Sequence, residues 1–272
     1  GGQRAKLALL VRSGTGYPNW ISPLECQKLA VGTSKFQCCE SNHVFIQKCR
    51  KTFVHGILDR LIDTRVQSLF VSNNFADARF SLCMRNYWFR GLINNGATKK
   101  TWSSFSSFKT DLKWSSSDGT TYDRDGFPIL LYAALTDCVD LVISTLSTTR
   151  DATNPTFQGI RSPKKGLPTF GVSGFSTPLM GAMGFASPSI VSALLKSGVD
   201  PFETDRAGND AFIFASVFGR LENVKFWLKQ YSDWDIESRN KMLGGTALSA
   251  TVYTSPNKLE LVKLLLELGA NV

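Results

Sequence analysis

A layout of small, apolar and polar residues recurs through the second half of this chain and constrains its fold more than any other feature. Residues 177–201 read TPLMGAMGFASPSIVSALLKSGVDP, residues 210–228 read DAFIFASVFGRLENVKFWL, and Thr177 to Asp210 is 33 residues. A third copy opens at Thr246 (TALSATVY, then LELVKLLLELGANV), with two extra residues before its second apolar block. A weaker copy opens at Pro128 (PILLYAALTDCVDLVISTL). The pairs Leu141-Val142, Ile190-Val191, Asn223-Val224 and Leu261-Val262 fall at matching places. Four residues on come Thr145-Leu146, Leu194-Leu195, Trp227-Leu228 and Leu265-Leu266. This spacing predicts, in each copy, a short helix, a turn and a second helix. One such hairpin cannot enclose its own apolar face, so the copies must stack.

Thr177-Pro178-Leu179, Ala182, Leu194-Leu195, Gly198-Val199-Asp200 and Gly269-Ala270-Asn271 carry a further likeness. Over roughly residues 120–272 the pattern resembles the ankyrin repeat, whose unit opens T-P-L-H-x-A and closes on a Leu-Leu pair and a G-A-D/N turn. The resemblance implies an all-α fold: an ankyrin-like helical solenoid of about four repeats over 116–272, preceded by a basic helical segment over 1–115. The residue types suit that role on their own terms. Thr177 can cap a helix whose first residue, Pro178, loses nothing by lacking an amide hydrogen. Ala133, Ala182 and Ala215 keep one helix face slim, and Gly198 and Gly269 are left-handed stops. The opening His is replaced by Leu131, Met180, Ile213 and Ser249. From Pro128 to Thr177 there are 49 residues, and the surplus over one period falls in a Thr-, Pro-, Gly- and Ser-rich stretch near 147–175, which reads as an excursion loop.

Charge divides the chain in the same place. Residues 1–115 hold 17 Lys/Arg against 6 Asp/Glu, whereas residues 116–272 hold 14 against 16. The first part favours anionic partners and the second recognition by shape. Its longest apolar run, Phe127 to Leu135, is nine residues long, about half of a bilayer span, so no transmembrane segment is expected. Six cysteines, five of them before residue 84, are too sparse for a disulfide scaffold and point to reduced thiols in an intracellular setting, cytoplasmic or within an organelle. Arg4, Lys6 and Arg12 make the first residues a basic arm, with the remnant of a targeting segment as the alternative. The missing initiator Met and the stop in mid-pattern at Ala270-Asn271-Val272 suggest a portion of something longer.

Upstream, helices are expected over Val44–Phe70 and Asp77–Asn94, capping one end of the stack. Asp59 and Asp63 read as helix-surface partners of Arg60 and Arg65. Cys38, Cys39, His43, Cys49 and His55 fit no ordinary zinc spacing, so neither metal nor cofactor is expected. Neither His has an orienting acid nearby in sequence, and no phosphate loop, dinucleotide fingerprint or nucleophile elbow is present, so an enzyme is not expected. Tyr87, Trp88 and Phe89 beside Arg85 and Arg90, with the cluster Lys48, Arg50 and Lys51, leave nucleic acid or another anionic surface open as a partner of the basic half.

The expected function is therefore protein–protein interaction through the concave face of the stack. Phe185, Phe218 and Tyr253 either present an aromatic stripe there or pack between neighbouring helices and beneath the amino-terminal ones. The hairpin-tip residues Arg124, Phe127, Arg206, Asn209, Met242 and Leu243 would flank the stripe. A structural subunit docking through its basic half, and a regulatory portion of a longer enzyme, are the rival readings.

Overall fold

The structure, a computed structural model, describes residues 9–12, 18–21, 50–93, 98–149, 161–167, 171–254 and 258–272. A short antiparallel ribbon comes first, β1 (Leu9–Arg12) with β2 (Pro18–Ile21), Leu9 standing opposite Ile21. Among the described residues the elements that follow it are helices. α1 (Arg50–Val71), α2 (Phe75–Cys83), α3 (Arg85–Trp88), α4 (Arg90–Ile93) and α5 (Phe105–Asp111) precede four helix pairs. The pairs are α6 (Ile129–Leu135) with α7 (Val139–Thr149), α8 (Pro178–Phe185) with α9 (Pro188–Lys196), α10 (Ala211–Val217) with α11 (Leu221–Gln230), and α12 (Ala247–Thr254) with α13 (Lys258–Glu267). Among the described residues no helix is long and apolar enough to cross a membrane.

The first helices α6, α8, α10 and α12 pack side by side in one row, and α7, α9 and α11 form a second row beside it. Every residue of α6 and of α8 is buried, because each helix has neighbours on both flanks and its own partner behind. Glycine makes that approach possible. A Cβ on Gly181 would stand 2.6 Å from Leu131 of α6, and one on Gly184 would stand 3.0 Å from Phe214 and from Phe218. A mid-helix glycine costs roughly 1 kcal/mol against alanine, and here the cost is offset by the contact it allows.

Side chains set the helix starts. The hydroxyl of Thr177 accepts from the Met180 amide (3.2 Å), the Asp210 carboxylate from the Ile213 amide (2.7 Å), and the Thr246 hydroxyl from the Ser249 amide (3.4 Å). The donors belong to the positions where a histidine was expected, and a backbone amide is there whatever the side chain. Asn223, which stands where the other copies carry an apolar residue, donates its amide to the carbonyls of Ala182 (3.3 Å), Met183 (2.8 Å) and Ala186 (2.9 Å) and so ends α8.

The amino-terminal helices close one end of this stack. α2 lies against α6 and continues the first row, α1 lies against α2, and α5 touches α7. The helix expected over Val44–Phe70 is observed from Arg50, its first six residues lying outside the described ones. The helix expected over Asp77–Asn94 is interrupted at Met84 and Phe89, where ψ is 0° and 6°. One hydrophobic core runs from Val66 to Ala270, so side chains from both sides of residue 115 share it.

A buried arginine fastens the two parts. Arg79 of α2 donates to the carboxylate of Asp118 (2.9 and 3.2 Å), to Asp123 (3.2 Å), and to the carbonyls of Leu112 (2.9 Å) and Lys113 (3.1 Å). Its guanidinium also lies 4.9 Å from the Trp114 ring. Tyr132 donates to Asp123 at 2.7 Å, which ties α6 into the same network. Burial on its own would raise the Asp118 carboxyl, but Arg79 and the amides of Ser115 and Arg124 outweigh it and hold it at about 2. Asp59 and Asp63 depart from expectation: both pair with Arg85 of α3, Asp63 at 2.7 Å, while Arg60 and Arg65 are exposed.

Arg79→Met should cost about 3–5 kcal/mol in urea denaturation, because it strands two buried carboxylates. The sign of the acid response follows from Asp118, whose folded value lies below the ordinary 3.8. Its contribution is complete above about pH 4 and is lost as the pH falls toward 2. Asp118→Asn should flatten that limb of the stability curve.

Candidate functional site

Each first helix is entered through a tight hairpin tip. The Asp123 amide donates to the Phe127 carbonyl (3.0 Å), Asp205 to Asn209 (2.9 Å), and Asn240 to Gly245 (3.0 Å). Gly126, Gly208 and Gly244 take φ of 84°, 77° and 65° to turn the chain, a conformation that side chains disfavour. In the second copy Phe175 takes that left-handed role at 64°. The leading polar side chain then folds back over its own turn. One oxygen of Asp123 accepts from the amides of Asp125 (2.9 Å) and Phe127 (2.8 Å), and one of Asp205 accepts from Ala207 and Asn209 (both 2.8 Å). The Asn240 carbonyl oxygen accepts from Leu243 at 2.8 Å.

The second, third and fourth tips are joined by backbone. The Arg206 amide donates to the Gly174 carbonyl (2.9 Å), and the Lys241 and Met242 amides donate to Ala207 (2.9 and 3.1 Å). The surplus segment joins the same ladder. Its Ser162 amide donates to Ser176 (2.8 Å), and Pro163 accepts from Phe175 (3.2 Å). Arg161 pairs with Glu203 and donates to the Thr204 carbonyl at 3.3 Å. Thus the part of the expected excursion loop that is described, 161–167 and 171–175, lies along the tips, while 147–149 complete α7.

The residues singled out from sequence separate into two groups. Arg124, Arg206, Met242, Leu243 and Tyr253 are exposed, the last three by 70%, 80% and 88%. Arg124 is held by Asp118 (3.6 Å) and lies 3.8 Å over the Phe75 ring. Asn209 is half-buried and donates to Asp205 at 3.0 Å, which gives it a part in the turn. Phe127, Phe185 and Phe218, by contrast, are core residues, with Phe185 and Phe218 only 1% and 5% exposed. Ring centroids lie 4.4 Å apart for Phe185–Phe218, 5.1 Å for Phe185–Tyr87 and 5.1 Å for Phe127–Phe80. An open aromatic stripe is therefore corrected to an interior cluster: Tyr87 of α3 packs on Phe185, and Gly171 lies against Phe185 and Phe218. Tyr253 of the last pair is the stripe residue that stays exposed.

The basic half changes in the same way. Tyr87 and Phe89 are buried and Arg85 is neutralised by Asp59 and Asp63, so base stacking beside free cations is not what these residues do. The ring of His55 rests edge-on against Phe89 at 4.9 Å. Cys38, Cys39, His43, Cys49 and Lys48 lie outside the described residues, as do the side chains of Arg50 and Lys51. Among the described residues no three His, Cys, Asp or Glu side chains are grouped to hold a metal. Cys83 and Cys138 are buried thiols, both pushed up by burial. No protein-family model matches the sequence, and no curated protein matches it either.

The tips themselves had a sequence signal: D-R-D-G at 123–126 and D-R-A-G at 205–208 stand at the same distance before their helices. Phe218→Ala should destabilise the fold by about 3–5 kcal/mol in urea denaturation, as truncation of a core aromatic does. Tyr253→Ala should change stability by no more than about 0.5 kcal/mol.

Proposed function

We propose that this chain is a non-enzymatic protein-interaction module, its four helix pairs forming a divergent ankyrin-like solenoid that meets a partner protein along the hairpin tips and the adjoining edge. The ankyrin-like reading is supported by the side-chain caps at Thr177, Asp210 and Thr246, by the two rows of helices, and by left-handed glycines after α9 and α13, Gly198 at 88° and Gly269 at 90°. The observation that carries the interaction reading is the tip ladder. Backbone hydrogen bonds fix the second, third and fourth tips in register, while the side chains of Arg206, Met242 and Leu243 are left exposed. Order before binding lowers the entropy lost on association, and hydrogen bonds between neighbouring tips favour it. Met242 and Leu243 are large apolar groups left in water on neighbouring positions, the kind of anchor that a partner buries.

A photo-crosslinking residue at Leu243, in living cells, should trap one discrete protein, whereas the same residue at Ile143, exposed on α7, should trap none. Equal labelling from both positions, or none from position 243, overturns the reading.

A further inference from the structure

An acid or amide and a base stand side by side at the tips: Asp205-Arg206 and Asn240-Lys241, with Asp123-Arg124 at the first. The fold separates them. Asp205 is buried, one oxygen consumed by the Ala207 and Asn209 amides and the other taken by Ser173 and Asn209. Arg206 and Lys241 are left exposed, and their own backbone amides are the rungs that join one tip to the next. The surplus segment adds Lys164 and Lys165, both exposed, directly after Pro163, which is hydrogen-bonded to the second tip. Arg239 is exposed as well and donates to the Gly244 carbonyl at 2.9 Å. Of the acids nearby, Glu203 is paired with Arg161, Asp118 with Arg79 and Arg124, and Glu237 accepts from the Asn271 amide (2.9 Å), while Asp235 is exposed and accepts from the Glu237 amide (3.0 Å). Asp125 is exposed beside Arg124, so the first tip is close to neutral and the positive row begins at Lys164. At its far end, next to Lys241, stand Met242 and Leu243.

We infer that the tip row is a docking surface for an acidic polypeptide segment of the partner, one whose aspartate and glutamate side chains face Lys164, Lys165, Arg206, Lys241 and Arg239 and whose apolar terminus seats on Met242 and Leu243. This rests on the interaction reading and adds the chemistry of the partner. A positive row on a half-chain of net negative charge is complementary to carboxylates and steers them from a distance. The aliphatic end favours a peptide over a nucleic acid, which offers phosphates along its whole length and no aliphatic side chain to bury. The surplus segment thereby has a use: it brings two lysines into line with the tips of the regular copies.

Fluorescence anisotropy on the full chain at low salt tests this with three labelled probes: a short Glu/Asp peptide ending in Leu-Phe, a Gly/Ser peptide with the same ending, and a single-stranded DNA of equal length. The acidic peptide should bind and the Gly/Ser peptide should not. Lys164→Glu, Lys165→Glu, Arg206→Glu and Lys241→Glu together should weaken the acidic peptide by roughly tenfold or more, and Met242→Ser with Leu243→Ser by roughly threefold or more. A glutamine version of the four-site variant should weaken binding in the same direction, and it serves if the charge reversal melts early. The inference falls if the acidic peptide does not bind, if the four-site variants bind it unchanged, or if the DNA binds more tightly and is lost in the same variants. Should the peptide fail while crosslinking from Leu243 persists, the acidic chemistry is wrong and the interaction reading stands. Loss of both removes both.

Discussion

The first helices of this stack are too short to stand alone, and the rest of the architecture follows from their need for flanking neighbours. α6 and α10 have seven residues and α8 has eight, below the length at which a helix persists in water. They exist because each is pressed between two others. That contact dictates small residues at Gly181 and Gly184, draws the rings of Phe185, Phe214 and Phe218 together, and leaves the connecting turns at the rim. A row of this kind has ends, and α2 answers one of them by taking the place of a further first helix.

What the sequence made legible was local. The cap at Thr177, the paired apolar positions and the terminal glycines all act within a few residues of themselves, and periodicity exposes them. Long-range partners left no such trace. Arg79 lies in the unremarkable stretch Ala76–Phe80, and its partners are 33 to 44 residues away. Asp59 and Asp63 had basic neighbours one and two places along, yet they chose Arg85 across a helix interface, because neighbouring positions on a helix point in different directions. Whether Phe185 and Phe218 face water or pack inside stayed open from the sequence, because that depends on what lies over them, and Tyr87 belongs to another part of the chain.

The same limitation hid how charge is arranged at the tips. Asp205 and Arg206 cancel in any charge count, so a nearly neutral half-chain gave no hint of a basic rim. Only the turn geometry, which brings the carboxylate inside to satisfy backbone amides, separates the two signs. Buried carboxylates at Asp123 and Asp205 are structural, and Arg124 and Arg206 are the exposed members of each pair. Fold and surface are products of one set of hydrogen bonds, and changing the turn would alter both.

The amino-terminal flank of the stack is held by more than apolar contact. Arg79 joins α2, the end of α5, the first tip and α6 through one set of buried hydrogen bonds, so none of them can move away without stranding an ionised group. Segments distant in the chain therefore share one fate there: they open together or stay shut.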